Sequence, residues 1–528
     1  MKRFLILMLL CLSLVLTGCT QPSVQTPDAS APEAGAEATE DAVLPSEDPG
    51  CIQHVDENDD DVCDDCGDSV IVTIDFFNIN DLHGKIFDGD LHPGVNEMTT
   101  FLSNAQNTLD NVIILSTGDM WQGSAESNLT EGALTTEWMN YVGFDAMALG
   151  NHEFDWGEDP IAANSEIANF PLLAINAYDA DTHQREEYCG SSVMVQCEGF
   201  QVGIIGAIGD CYSSIAPDHT KDTYFKVGKE LTQLVKEEAT NLRIQGADLI
   251  VYIIHDGLGD SFPGITKNVS DRQISSYYDA SLSEGYVDLV FEAHTHQEYL
   301  LRDDEGVYHI QCGGDNTTGL SHAQVQLHAV DGTYEVLEAG HVKHKEYKEL
   351  PGDPIVDELK VLYTEELAPG FEVLGYIDRS YPGDEMRQLV ADLYYEEGVT
   401  KWGSEYDIVL GGGFISVRSP GYLKRGNVTY SQLQSLFPFD NVLVLCSIKG
   451  SDLRDKFFET DNYNYFICCG AYGEEVRENL DPNATYYVVV DSYTSTYGPN
   501  RLTEIERYGE ELYARDLIAQ YIKTGGMG

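Results

Sequence analysis

From Val70 onward the chain alternates short apolar runs with stretches of helical spacing. Val70 to Ile79, Val112 to Ser116, Ala146 to Leu149, Val202 to Ile208 and Leu249 to Ile254 are rich in branched side chains, and each ends in polar or glycine positions. Continuous apolar runs of this length predict strands buried on both faces, as in layered α/β sandwiches with helices outside. Asp353 to Leu367 has the apolar spacing of a helix and predicts a connector. Beyond it the pattern shifts to short strands and frequent tyrosines, which predicts a second, smaller α/β domain.

The segment ahead of Val70 follows no such pattern. Lys2 and Arg3 precede an apolar run from Phe4 to Leu16, which is shorter than the roughly 20 residues a spanning helix needs. It ends in Leu16-Thr17-Gly18-Cys19, which looks like a bacterial lipobox. Cleavage before Cys19 would leave that cysteine lipidated, so residues 1–19 are expected to be a signal and the protein to sit outside the cytoplasmic membrane, held by lipid alone. Residues 20–50 lack aromatics and are rich in Ala, Pro, Glu, Asp, Ser and Thr, the composition of a disordered tether. Residues 51–68 hold Cys51, His54, Cys63 and Cys66, spaced for a compact tetrahedral ion site. The acids among them alternate as in a calcium loop, although the sixth and twelfth places hold Asp61 and Gly67. The stretch resembles a short Cys-His-Asp repeat of Gram-positive surface proteins, with a structural role expected.

A chain of 528 residues is long enough for two well-packed domains with appendages. Its 89 acidic and 30 basic residues leave a net charge of -59, which excludes a sequence-blind grip on duplex DNA or on an anionic membrane surface. A small anionic substrate then needs local positive charge, and bound metal ions supply it. Of the other cysteines, Cys189 and Cys197 flank a short stretch that a disulfide could close, and Cys468-Cys469 reads as part of a hydrophobic strand.

The candidate chemistry gathers where the strands end. The first run ends Asn80-Asp81-Leu82-His83-Gly84, the second Thr117-Gly118-Asp119, and the third Gly150-Asn151-His152-Glu153-Phe154-Asp155. The run near 250 ends in His255, and Val287 to Phe291 leads to Ala293-His294-Thr295-His296. A lone D-x-H or H-x-H is a weak signal; five strand ends in succession, each with oxygen or imidazole donors, are a strong one.

This order resembles the calcineurin-like metallophosphoesterases, and the Phe-Asp after G-N-H-E narrows the resemblance to the bacterial 5′-nucleotidase family. The resemblance implies a four-layer sandwich of two β-sheets flanked by helices over 70–345, a connector helix over 346–371 and a substrate-recognition domain over 372–525. It also implies two divalent ions, of Zn, Mn, Fe or Co. Asp81, His83, Asp119 and His296 would hold one, and Asp119, Asn151, His255 and His294 the other, with Asp119 shared. Two ions sharing a ligand neutralise a phosphate ester and align its attacking and leaving oxygens. His152 would act on the phosphoryl group or the leaving oxygen, with Asp155 fixing its tautomer. Two positions depart from the family pattern without removing a ligand: Ala293 stands where Gly is usual, and Asp256 follows His255.

In the carboxyl-terminal half, Leu410-Gly411-Gly412-Gly413, Arg418-Ser419-Pro420, Val428-Thr429-Tyr430 and Phe437-Pro438-Phe439-Asp440-Asn441 resemble that family's substrate-recognition series. By the resemblance Arg418 would bind nucleoside or phosphate and Phe439 would stack on the base, with Tyr497 or Tyr493 as the second face. Leu410 replaces the family's Asn, two extra residues precede Arg418, and the usual G-D-G-F/Y segment is absent. The expectation is a nucleotide phosphoesterase with no obligate protein partner. A 2′,3′-cyclic-nucleotide phosphodiesterase or UDP-sugar diphosphatase is the alternative within the family. A catalytically dead surface binding lipoprotein, the rival from another class, would lack a metal ligand, and none is lacking.

Overall fold

The first strand sets the layering. In β1 (Ile71–Ile79), Val72, Ile74 and Phe76 point to one side and Phe77 and Ile79 to the other, and all are buried. Side chains alternate across a strand, so a run with buried apolar side chains on both faces needs a partner layer on each. The computed structural model describes Val62 and residues 70–88, 93–257, 278–418, 421–461, 465–496, 502–509 and 512–527. Cys19, Cys51, His54, Cys63, Cys66 and Tyr497 therefore lie outside the described residues.

The strands of the two large sheets that follow are β2 (Val112–Ser116), β3 (Ala146–Ala148), β4 (Leu172–Leu173), β5 (Ser192–Cys197), β6 (Phe200–Ile208) and β7 (Leu249–His255). Next come β8 (Leu289–Phe291), β9 (Tyr299–Arg302), β10 (Tyr308–Gln311), β11 (Gly319–His328) and β12 (Thr333–Lys343). One sheet runs β12-β11-β1-β2-β3-β4 and the other β9-β10-β8-β7-β6-β5. Strands β1 to β4 are mutually parallel, as are β6, β7, β8 and β10. Between the sheets pack Ile74, Phe76, Ile113, Leu115, Val251, Ile253 and their neighbours. The outer face of the first sheet is covered through Met98, Leu102, Trp138 and Met139 of helices Asn96–Thr108 and Ala133–Val142. The second is covered by Lys229–Ile244, whose Leu231, Val235, Ala239 and Leu242 recur on one stripe and are buried. Each such large apolar side chain contributes about 1.5–3 kcal/mol. The result is the expected four-layer, mixed α/β arrangement.

The smaller carboxyl-terminal domain repeats the principle with one five-stranded sheet, beside two two-stranded ones. The strands of the larger sheet are β13 (Ile408–Phe414), β14 (Leu443–Lys449), β15 (Tyr465–Cys468), β16 (Thr485–Asp491) and β17 (Thr503–Arg507), ordered β15-β13-β16-β14-β17. Helices Gly383–Trp402 and Ala514–Lys523 fill one face, and Leu453, Phe457 and Val476 the other. Leu410 points into that second core. The stretch read as one connector helix is two, Ile355–Leu362 and Thr364–Leu367, because Tyr363 between them leaves helical geometry. Val356, Leu359 and Leu367 bury against the helix-side core of the larger domain.

Two cysteine expectations change. Cys189 and Cys197 are free thiols: Cys189 packs in the helix-side core and Cys197 between the sheets, so the first sheet separates them. Cys468 closes β15, and Cys469 lies just past it. Among the described residues no helix is long and apolar enough to cross a membrane.

Candidate metal centre

The parallel strands deliver their carboxyl ends to one edge of the sandwich, and the loops there bring the expected residues together. Asp81 and His83 follow β1, Asp119 follows β2, Asn151 and His152 follow β3, His255 closes β7, and His294 and His296 follow β8. Four groups have ligand-type atoms within 4.8 Å of one another: Asp81, His83 and His296; Asp81, Asp119 and His255; His83, Asp119 and His152; and Cys211, His255 and His294.

The backbone is bent to make this possible. Ten described non-glycine residues have positive φ, and Asp81, His83, Asp119, His294 and His296 are five of them. Each such conformation costs on the order of 1–3 kcal/mol and persists only where its surroundings hold it. Gly150 shows how tight the packing is, since a Cβ there would stand 2.3 Å from Asp119 Oδ1.

Donor chemistry tests whether cations fit. His83 Nδ1 donates to the Gln122 carbonyl at 2.8 Å, which leaves the Nε2 lone pair facing His296 Nε2 at 3.0 Å. His255 Nδ1 donates to the Thr117 carbonyl at 2.6 Å, so its Nε2 lone pair faces Asp119 Oδ2 at 3.1 Å. Lone pairs facing lone pairs repel unless a cation or proton lies between them. The His255 Nε2 and Asn151 Oδ1 atoms are buried with no hydrogen-bond partner. Buried polar atoms without partners are rare, and here they converge on one pocket of carboxylates and imidazoles. The clusters suit one or two divalent ions.

Residues 79–298 match the model of the calcineurin-like phosphoesterase family. The chain carries a calcineurin-like phosphoesterase domain. Its relatives include the protein UshA of Yersinia enterocolitica, 23% identical, with 86% of this chain and 88% of the relative covered. A 5′-nucleotidase precursor from Thermus thermophilus superposes with a TM-score of 0.62 at 19% identity, covering 86% of this chain and 96% of that one. A sulfate thiohydrolase, SoxB, from the same organism superposes at 0.58 and 16% identity, covering 86% and 94%. At such identities the superpositions establish the fold alone. With the metal-type clusters, the phosphoesterase domain makes the chain a metal-dependent hydrolase with the general phosphoesterase activity of the 5′-nucleotidase and calcineurin-like families.

Several residues that build this edge of the phosphoesterase domain carry no sequence expectation. Glu153 is fully buried and accepts four backbone N–H groups: Gly150 at 2.7 Å, Asp119 at 2.9 Å, Met120 at 2.8 Å and Trp121 at 3.2 Å. It ties the β2 and β3 ligand loops together. Burial first, then neighbouring Asp119, lifts its carboxyl to about 7. Cys211 donates to the His255 carbonyl at 2.9 Å. Lys85 pairs with Asp315, whose N–H donates to the Asp81 carbonyl at 2.7 Å. Burial, then Arg418, pulls the Lys85 amine down to about 7. Glu153 lies within the Gly150 to Asp155 motif, but nothing in sequence shows that four amides converge on it.

His152 stands at the mouth. Its N–H donates to Asp119 Oδ1 at 2.8 Å, and Nδ1 meets Asp155 Oδ2 at 2.7 Å. Burial pulls the imidazole down, but Asp155 and Asp119 outweigh it and hold its pKa above the ordinary value. From the carboxyl-terminal domain, Arg418 brings Nη2 to 3.3 Å from His152 Nε2, and the Phe439 ring lies 5.8 Å from the His152 ring. The Arg418 guanidinium lies 5.2 Å over Phe439. Tyr493 lies 5.6 Å from Phe414 and within electrostatic reach of Arg418. Asp256 accepts N–H groups from Asp210 and Gly257, so the family departure at that position is absorbed beside the ligand cluster.

Proposed function

We propose that the protein is an extracytoplasmic nucleotidase that hydrolyses nucleotide phosphate esters at a dinuclear centre. Asp81, His83, Asp119 and His296 would hold one ion and Asp119, Asn151, His255 and His294 the other. When bound, the ions supply the positive charge a phosphate ester requires and an activated water. The observation that carries the reading is the seat of His152, between the ligand cluster and a cation-aromatic pair from the second domain.

His152 keeps Nδ1 toward Asp155 and so presents Nε2 to the leaving oxygen as proton donor. Arg418 adds a fixed positive charge on the same side, suited to a phosphoryl oxygen. Phe439 offers an apolar face to a nucleobase and keeps water from the far side of the imidazole. The lipobox at Cys19 gives the site access to substrates outside the cytoplasmic membrane. Labelled palmitate incorporated by the native chain and lost in Cys19→Ser would support that placement; label retained in the variant would remove it.

Phosphate release from AMP, UDP-glucose, 2′,3′-cyclic AMP and bis-p-nitrophenyl phosphate, with added Mn or Zn, tests the reading. AMP is the expected best substrate. A preference for the cyclic nucleotide or the sugar nucleotide would transfer the assignment to that chemistry, and no turnover with metal verified as bound would end it.

A further inference from the structure

We propose that Asn128 is a positioning residue that docks the Phe439 loop of the carboxyl-terminal domain onto the metal-centre loop. It thereby sets how firmly the nucleoside part of a substrate is held. The inference rests on the nucleotidase reading for its substrate, and on the structure alone for the docking.

Asn128 closes the short helix Ala125–Asn128 and is 8% exposed. Its side chain serves two regions. Oδ1 accepts the Gly123 N–H at 3.0 Å, and Nδ2 donates to the Pro438 carbonyl, also at 3.0 Å. The first bond needs an acceptor and the second a donor, so the amide orientation is fixed. Gly123 lies against His83, where a Cβ would stand 2.6 Å from the His83 Cβ. The Ser124 N–H donates to the His83 carbonyl at 2.8 Å. One end of Asn128 is thus joined to the loop that carries a proposed metal ligand.

The other end reaches a loop already braced within its own domain. Arg515, nearly fully buried, donates to the Phe437 carbonyl at 3.4 Å and the Phe439 carbonyl at 3.0 Å, and pairs with Asp440. Of three consecutive carbonyls, the outer two turn to Arg515 and the middle one to Asn128. Arg515 fixes the shape of the loop, and Asn128 fixes where it lies relative to the metal centre. The residue so placed is Phe439, beside His152 and beneath Arg418.

Two variants separate the two bonds. Asn128→Asp keeps the acceptor for Gly123 but sets a carboxylate oxygen against the Pro438 carbonyl; Asn128→Ala loses both bonds. Each full-length, metal-loaded variant is compared with the native chain by metal content, by KM and kcat on AMP and p-nitrophenyl phosphate, and by amide hydrogen exchange over residues 430–441. Asn128→Asp should keep the native metal content, raise KM for AMP about tenfold with a several-fold smaller effect on p-nitrophenyl phosphate, and speed exchange over 430–441. Asn128→Ala should do the same and also weaken metal retention. Native exchange over 430–441 in both variants would overturn the docking role. Equal losses on both substrates would overturn the nucleoside role. If native enzyme shows no preference for AMP while exchange still rises in the variants, the nucleotidase reading falls and the docking stands.

Discussion

Two loop systems meet at His152, and they are held in opposite ways. The loops that end β1, β2 and β8 are bent into unfavourable backbone conformations, with Asp81, His83, Asp119, His294 and His296 all at positive φ. What braces them is the buried Glu153 carboxyl, which collects four amides, while imidazole nitrogens face carboxylates across a shared space that suits a cation. The Phe437–Asp440 segment of the second domain has no positive φ and presents carbonyls, which Arg515 and Asn128 collect. The first system gathers donors that suit cations, whereas the second is braced by the protein's own groups. Strain and unpartnered buried atoms therefore mark the proposed reacting centre, and a braced, partly open aromatic marks the proposed recognition surface.

The sharpest way to break the contrast is Asp119→Ala. Asp119 contributes to two of the ligand groups and receives the His152 N–H. Turnover should fall on the order of a thousandfold or more, with bound metal reduced, as read by phosphate release and elemental analysis. Full metal content in the variant would deny the shared-ligand assignment. Next in size comes Glu153→Gln, which touches no substrate. It leaves one carbonyl oxygen for four N–H groups, so stability should drop by about 2–3 kcal/mol in denaturant unfolding. Metal affinity should weaken about 10- to 100-fold as the two ligand loops part. An unchanged unfolding midpoint would mean that the ligand loops hold their strained shape without the carboxylate.

A smaller effect is expected at Asp155. The His152 imidazole faces Asp155, Asp119, His83 and Arg418; burial and Arg418 lower its pKa, and the two carboxylates raise it to a net value above the ordinary one. As a proton donor it then stays charged as pH climbs past the usual imidazole range. Asp155→Asn removes the larger carboxylate contribution, so the proton is lost at lower pH. The alkaline limb of the kcat profile should move down, with about a 10- to 100-fold loss at its plateau. A limb that stays in place would mean that His152 is not the proton donor.

The same contrast explains what was legible in the sequence. Continuous apolar runs such as 249–254 revealed the layering, because apolar side chains there face both sides of the sheet. The donors at strand ends were legible because metal chemistry tolerates few residue types and parallel strands put their carboxyl ends on one edge. The bracing was not. Glu153, Arg515 and Asn128 work by gathering backbone amides and carbonyls, which all residues offer alike save for the missing N–H of proline, so no residue pattern announces the partner. The break at Tyr363 was hidden for a related reason: the side chain is buried and keeps the apolar spacing while the backbone leaves the helix. The Cys189–Cys197 expectation used chain separation alone, and chain separation does not know that a sheet stands between them.

The finest test concerns Phe439, because its neighbours allow two roles. Stacking of a base on an aromatic ring is lost on truncation at about 1–3 kcal/mol, so Phe439→Ala should raise KM for AMP about tenfold. The ring also lies 5.8 Å from the His152 ring and beneath the Arg418 guanidinium, where it shields the imidazole. A recognition role would appear in KM and spare a substrate without a nucleobase, such as p-nitrophenyl phosphate. A shielding role would appear in kcat on both substrates and would shift the pH profile, because water admitted beside His152 weakens its interaction with Asp155. Steady-state kinetics on the two substrates across pH decides between them. The split expected from the contrast of the two loop systems is a KM effect confined to the nucleotide, since the segment that carries Phe439 is braced by groups that do not touch the reacting centre.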